Sequence, residues 1–91
     1  MPLQEKLANL AADLERLMTE GGPTPEELAD APILSDWKVV DYPAVSLEGF
    51  VVGHPKLGAG HITTTQVYAV AMDGTWMRTL SRLYRLGPPL S

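Results

Sequence analysis

The sequence predicts an α+β fold with an N-terminal helix, a short capped helix, a three-stranded antiparallel meander and a C-terminal amphipathic helix. Three observations support it. A leucine stripe opens the 91-residue chain, β-branched and aromatic residues fill its middle, and its last segment sets arginines opposite large apolar residues. The length fits a single domain, residues 1–91, with an acidic helical part (1–36) and a sheet plus closing helix (37–91).

Both N-terminal helices are predicted from local signals. Leucines from Leu3 to Leu17 recur every three or four positions, which gives a helix one apolar stripe, and Gly21 is a typical end. Thr24 and Glu27 form a capping-box pattern that starts the second helix, and Pro32 cuts it short. We expect the stripe to pack on the chain's own core. The alternative to a monomer is a weak homodimer through this helix.

The three predicted strands are segments rich in β-branched and aromatic residues. Residues 42–44 (Tyr-Pro-Ala) are interpreted as a tight connection, and residues 54–61, with their proline and glycines, as a loop. Short links between consecutive strands predict an antiparallel meander. The strand segments are WKVVDYP (37–43), VSLEGFVVG (45–53) and ITTTQVYAVAM (62–72).

Two signals compete in the segment TWMRTLSRLYRLGPPL, residues 75–90. The Asp-Gly pair before it predicts a hairpin and a fourth strand. Helical periodicity instead places the arginines on one face and the large apolar residues opposite them. Because Gly-Pro-Pro at 87–89 is an end signal, we interpret residues 75–86 as a helix whose apolar side covers the sheet. The outward-facing arginines are Arg78, Arg82 and Arg85.

The composition limits the classes of function that the protein can have. The net charge is −4, but residues 1–36 hold eight acids and two bases, whereas residues 37–91 hold three acids and five bases. The absence of cysteine excludes disulfides and thiol nucleophiles and suits a cytoplasmic location. The start MPLQEKLANL lacks the pattern of a signal peptide, and no apolar run is long enough to span a membrane.

No motif predicts catalysis, a metal or a cofactor. His54 and His61 flank the predicted loop, but a usual metal site needs three or four ligands and the loop holds no acid. No serine lies in a nucleophile-elbow pattern, and Gly-Ala-Gly at 58–60 lacks the rest of a phosphate-loop signature. We therefore predict a protein that is not an enzyme.

The predicted binding surface combines the arginine face with the neighbouring loop. Clustered cations fit an acidic protein surface, so we predict a binding or regulatory protein that docks to a protein partner, as an inhibitor or adaptor of the kind mobile elements carry. The alternative is a nucleic-acid-associated regulator using the same arginines, which the acidic balance disfavours. The predicted binding residues are Arg78, Arg82, Arg85, His54, Lys56 and His61.

The segments PTPEELADAPIL, GHPKLGAGHITTTQVYAV and WMRTLSRLYRLGPP resemble a family of small bacterial proteins, mostly alphaproteobacterial, described as a domain of unknown function. The shared features are a Gly-His-Pro loop at 53–55 and a Trp-x-Arg-Thr-Leu-Ser-Arg-x-Tyr-Arg-Leu-Gly tail at 76–87. The resemblance covers roughly two thirds of the chain. It implies a compact bacterial domain and assigns no catalytic residue.

Overall fold

The computed structural model describes residues 2–41 and 45–90. Two helices precede one mixed sheet, whose six strands lie in the order β3-β2-β1-β6-β5-β4. No helix in these two ranges has both the length and the apolar character needed to cross a membrane. The elements are α1 Leu3–Glu20, α2 Pro25–Asp30, β1 Ile33–Val40, β2 Ser46–His54, β3 Gly58–Thr63, β4 Val67–Val70, β5 Trp76–Thr79 and β6 Leu83–Leu86.

Both N-terminal helices form where their sequence signals predict. α1 ends at Gly21, whose φ of 78° is the left-handed conformation that glycine adopts at little cost. At the start of α2, the Glu27 N–H donates to the Thr24 hydroxyl and the Thr24 N–H donates to the Glu27 carboxylate. This reciprocal pair confirms the predicted capping box.

Two ion pairs attach α1 to the rest of the protein. Arg16 donates two hydrogen bonds, of 2.7 and 2.6 Å, to the Glu27 carboxylate and so joins α1 to α2. The Thr24 N–H, and then Arg16, keep the pKa of Glu27 below its usual value. Asp13 accepts a 3.0 Å hydrogen bond from Nε of Arg78, which joins α1 to β5.

The leucine stripe packs on the protein over part of its length. Leu10 and Leu17 are buried, whereas Leu3 and Leu7 are 61% and 46% exposed. The exposed leucines belong to the first turns of α1. Self-association through this helix stays a prediction.

The predicted C-terminal helix is wrong, because residues 76–79 and 83–86 form β5 and β6. The competing hairpin signal was the correct one: Gly74 has a φ of 73°, and its N–H donates to the Ala71 carbonyl. Helical periodicity misled because β5 is covered on both faces, by the core at Met77 and by α1 at Arg78. A strand buried on both faces loses the alternation that identifies strands.

The predicted three-stranded meander is wrong as well. β1 lies between β2 and a parallel β6, the predicted loop 54–61 contains the start of β3, and the predicted strand 62–72 is divided into β3 and β4. The division follows from Thr64, whose hydroxyl accepts from the Leu47 N–H and donates to the next carbonyl. Such side-chain bonds replace ladder bonds and end a strand. The predicted connection 42–44 lies outside the described residues.

A parallel seam joins the two halves of the sheet. Leu34 of β1 pairs with Leu86 of β6. Beyond the strand, the Gly87 N–H donates to the Leu34 carbonyl, and the Leu90 N–H donates to the Trp37 carbonyl. The Trp37 indole N–H donates to the Gly87 carbonyl at 2.9 Å. The Gly-Pro-Pro segment therefore continues along β1 instead of ending a helix.

The sheet curls around its core. The Val67 N–H of β4 donates to the carbonyl of Val45 beside β2, although β2 and β4 are not neighbours in the strand order. The inner face of the curl carries the buried apolar cluster, and the outer face of β5 lies under α1. The cluster comprises Leu34, Leu47, Val51, Met77 and Tyr84, with Trp37, Ile62, Val67 and Leu86 packed against it.

Candidate functional site

The structure separates the three arginines that were predicted to share a helix face. Arg78 lies on β5, with its side chain 4% exposed and paired with Asp13. Its guanidinium also donates to the carbonyl of Thr79. Arg82 lies in the turn between β5 and β6, and Arg85 lies on β6. Arg78 is therefore an internal ion-pair partner, while Arg82 reaches a cleft.

That cleft has a volume of about 260 Å³ and lies where the turn after β2, the end of β3, the β5–β6 turn and the start of α1 meet. We call it the basic cleft. It brings together three predicted site residues, His54, Lys56 and Arg82. Its lining is Lys6, His54, Lys56, Leu57, Ile62, Thr63, Thr64, Thr65, Ser81, Arg82 and Tyr84.

Two contributors to the cleft were missed by sequence reasoning. Lys6 comes from α1, so it reaches the cleft through helix packing, which no local pattern reports. Tyr84 belongs to the buried core cluster and also lines the cleft. The sequence signal that could have identified Tyr84 as a cleft residue is its position in the tail motif, two residues after Arg82.

The cleft is basic in an acidic protein. No aspartate or glutamate is among its described lining residues. In the described part of the chain, Arg16, Lys38 and Arg78 form ion pairs with carboxylates. The other four lysines and arginines do not, and three of these four line the basic cleft. The cations without an ion pair to any residue in 2–41 or 45–90 are Lys6, Lys56, Arg82 and Arg85.

Arg82 is held in place by its backbone while part of its side chain lacks a partner. Its N–H donates to the Thr79 hydroxyl at 3.2 Å, and its carbonyl accepts from the Thr79 N–H at 2.9 Å. Its Nε is buried and has no hydrogen-bond partner within residues 2–41 and 45–90. A buried donor without an acceptor is costly.

His54 orders the turn at the rim of the cleft. Its Nδ1 accepts hydrogen bonds from the N–H groups of Lys56 and Leu57, both at 3.1 Å. Burial, and then the charges of Arg82 and Lys56, lower the pKa of His54. Because Nδ1 accepts these hydrogen bonds, the neutral ring carries its proton on Nε2.

We expect an NMR titration to place the pKa of His54 below its ordinary 6.5. Since the unfolded chain then binds the proton at higher pH than the folded one, His54 makes the protein less stable as the pH falls below about 6.5. His54→Asn, whose amide oxygen can replace Nδ1, should keep the Lys56 and Leu57 amides protected from hydrogen exchange, while His54→Ala should expose them. A pKa at or above 6.5 would contradict the assignment.

His61 and Arg85 lie outside the lining of the basic cleft. His61 is exposed on β3, and its Nε2 lies 4.0 Å from the carboxylate of Glu48. Lys38 lies 3.8 Å from the same carboxylate. Across the described ranges, no three histidine, aspartate or glutamate side chains cluster in a way that could hold a metal ion.

Comparison with known proteins identifies a family. The protein-family sequence model described as "Family of unknown function (DUF6634)" matches residues 8–91. A search of curated proteins and a search of solved structures found no match. The matched range holds every strand of the sheet and all lining residues of the basic cleft except Lys6. The chain therefore belongs to DUF6634, a family of unknown function.

Proposed function

We propose that this protein is a non-enzymatic docking protein that binds an acidic segment of a protein partner in the basic cleft. The observation that carries the proposal is the convergence of Lys6, Lys56 and Arg82, none of them ion-paired among the described residues, on one cleft without acids. An inhibitor or adaptor role and a cytoplasmic location belong to the same proposal. The location is supported by the absence of cysteine.

The chemistry of the cleft favours carboxylates. An arginine forms charge-assisted hydrogen bonds with a carboxylate that are about twice as strong as neutral ones. Lys6 and Lys56 add point charges from two different elements, α1 and the turn after β2. About 260 Å³ accommodates side-chain carboxylates of a partner, while the rest of the partner stays outside.

Nucleic acid is the other polyanion that such a cleft could attract. Tight phosphate binding needs many cations along an extended surface. Here three cations share one small cleft, and the protein carries a net charge of −4. These charges favour an acidic protein segment as the ligand. The binding experiment described next also tests nucleic acid as the alternative ligand.

We expect Arg82→Gln to weaken the binding of an acidic peptide by about tenfold or more, because the peptide loses a charge-assisted hydrogen bond. The probe is a fluorescein-labelled peptide of alternating glutamate and valine, about eight residues long, measured by fluorescence anisotropy at low salt. Raising the salt should weaken its binding.

The matched control is Arg85→Gln, which removes an arginine that lies outside the cleft and has no ion pair within the described ranges. It should change affinity by less than about twofold. A counterpart peptide with glutamine in place of glutamate should not bind. Equal binding of both peptides, or unchanged binding by the Arg82→Gln protein, would refute the proposal. Tighter binding of single-stranded DNA than of the peptide would favour a nucleic-acid regulator.

A further inference from the structure

β3 lies at one end of the sheet, so one of its edges has no strand partner among the described residues. β2 occupies the other edge, where the Thr64 N–H donates to the Leu47 carbonyl. Backbone groups in an antiparallel pair point alternately toward and away from the partner strand. The backbone N–H and C=O groups of Thr64 and Ile62 therefore point toward β2. Those of Thr63 and His61 point toward the free edge.

The basic cleft lies at the C-terminal end of β3. Its lining includes Ile62 and Thr63, the last two residues of the strand, and Thr64 and Thr65, which follow it. A chain that paired with the free edge of β3 near Thr63 would therefore run beside the cleft.

The free edge of β3 is open to a further strand. From Gly60 to Thr63 its register with β2 is unbroken, and β3 contains neither the proline nor the lysine with which proteins commonly block edge pairing. A Cβ atom placed on Gly60 would meet no heavy atom within 4 Å, so the sheet face over Gly60 is open.

We infer that the acidic segment of the partner binds as an extended strand along the free edge of β3, with its backbone paired to His61 and Thr63 and its acidic side chains in the basic cleft. This inference rests on the proposed function. In strand addition, backbone hydrogen bonds supply affinity and side-chain pockets supply selectivity. Here the selectivity comes from Lys6, Lys56 and Arg82.

The sharpest variant is His61→Pro. Proline removes the N–H that faces the free edge and leaves the ladder to β2 intact, and proline is tolerated where a strand N–H faces solvent. Binding of the glutamate–valine peptide should fall about tenfold or more, because one backbone hydrogen bond is lost and its acceptor in the peptide is left unpaired. His61→Ala is the matched control, because it removes the imidazole and keeps the N–H. It should stay within about twofold of the unaltered protein.

A second measurement leaves the protein unchanged, so it does not depend on how His61→Pro folds. Two versions of the peptide carry backbone N-methyl groups on alternate residues, one version on the odd and the other on the even positions. A paired strand directs every second N–H at its partner, so one version should lose binding and the other should keep it.

The outcomes separate this inference from the proposed function. If both methylated peptides bind like the parent peptide while Arg82→Gln abolishes binding, the segment docks through charge alone and the strand pairing is wrong. If the parent peptide does not bind, both proposals fall. Loss of binding with one methylated peptide, together with loss on His61→Pro but not on His61→Ala, supports strand addition.

Discussion

Gly49→Ala should lower the free energy of unfolding by roughly 2–4 kcal/mol. A Cβ atom at this position of β2 would lie 2.8 Å from the carbonyl oxygen of Ser35 and 3.0 Å from the Cα of Trp37. Both are backbone atoms of β1 beside the irregularity between Ser35 and Lys38, so they cannot rotate away. Because a small domain is stable by only about 5–15 kcal/mol, this substitution should remove much of that margin.

Gly60→Ala is the matched control, because Gly60 lies in β3 and has no heavy atom within 4 Å of the added Cβ position. Neither Gly49 nor Gly60 has a positive φ, so the two substitutions differ in available space and not in backbone conformation. We expect Gly60→Ala to leave stability unchanged or slightly raised, through the lower entropy of the unfolded chain. The measurement is the midpoint of urea unfolding, and an equal loss at both positions would contradict the close approach of β2 and β1.

Asp13→Ala should lower the free energy of unfolding by about 2 kcal/mol, because it leaves the guanidinium of Arg78 without its carboxylate under α1. The Arg78 side chain is 4% exposed, so water can replace little of the lost bond, whereas Asp13 is 38% exposed. Because Asp13 is partly exposed, the expected loss of unfolding free energy is smaller than for a pair in which both partners are buried.

A double-mutant cycle with Arg78→Met isolates the interaction. Removing both partners should cost less than the two single losses together, because no unpaired charge remains. The more exposed pair of Lys38 and Glu48, 3.8 Å apart, provides the reference, and its coupling should lie below about 1 kcal/mol. A coupling between Asp13 and Arg78 no larger than this reference would show that the pair does not hold α1 on the sheet.

The two N-terminal helices could be predicted because their signals are local. The capping box needs Thr24 and Glu27 three positions apart, and the end of α1 needs a residue such as Gly21 that accepts a positive φ. Neither signal depends on what the helix packs against. The structure therefore agrees with the sequence there to within a residue or two.

β5 and β6 could not be predicted in the same way, because tertiary contacts decided their conformation. Met77 and Arg78 are both buried, one by the inner core and one by α1. The pattern that looked helical is the pattern of a strand covered on both faces. To recognise β5 as a strand, one would have needed to know that α1 packs over it. The spacing of residues within the segment carries no information about that packing.

The site was predicted in part for a related reason. His54 and Lys56 were assigned from their loop, and Arg82 from the arginine spacing, and all three line the basic cleft. Arg78 has the same spacing but meets Asp13, sixty-five positions away in the sequence. Residue type predicted which cations could form the candidate site, whereas the pairing of each cation depended on the folded chain.

The parallel seam between β1 and β6 also has a consequence for biosynthesis. β1 emerges early from the ribosome, but one of its two neighbours is made only when residues 83–90 follow. Until then a nascent chain presents an open β1 edge and an incomplete apolar interior, the state most prone to aggregation. Pairing across such a long sequence separation also closes slowly. The sheet should therefore be completed only once residues 83–90 have left the ribosome, and chaperones that shield extended apolar segments would act before that point.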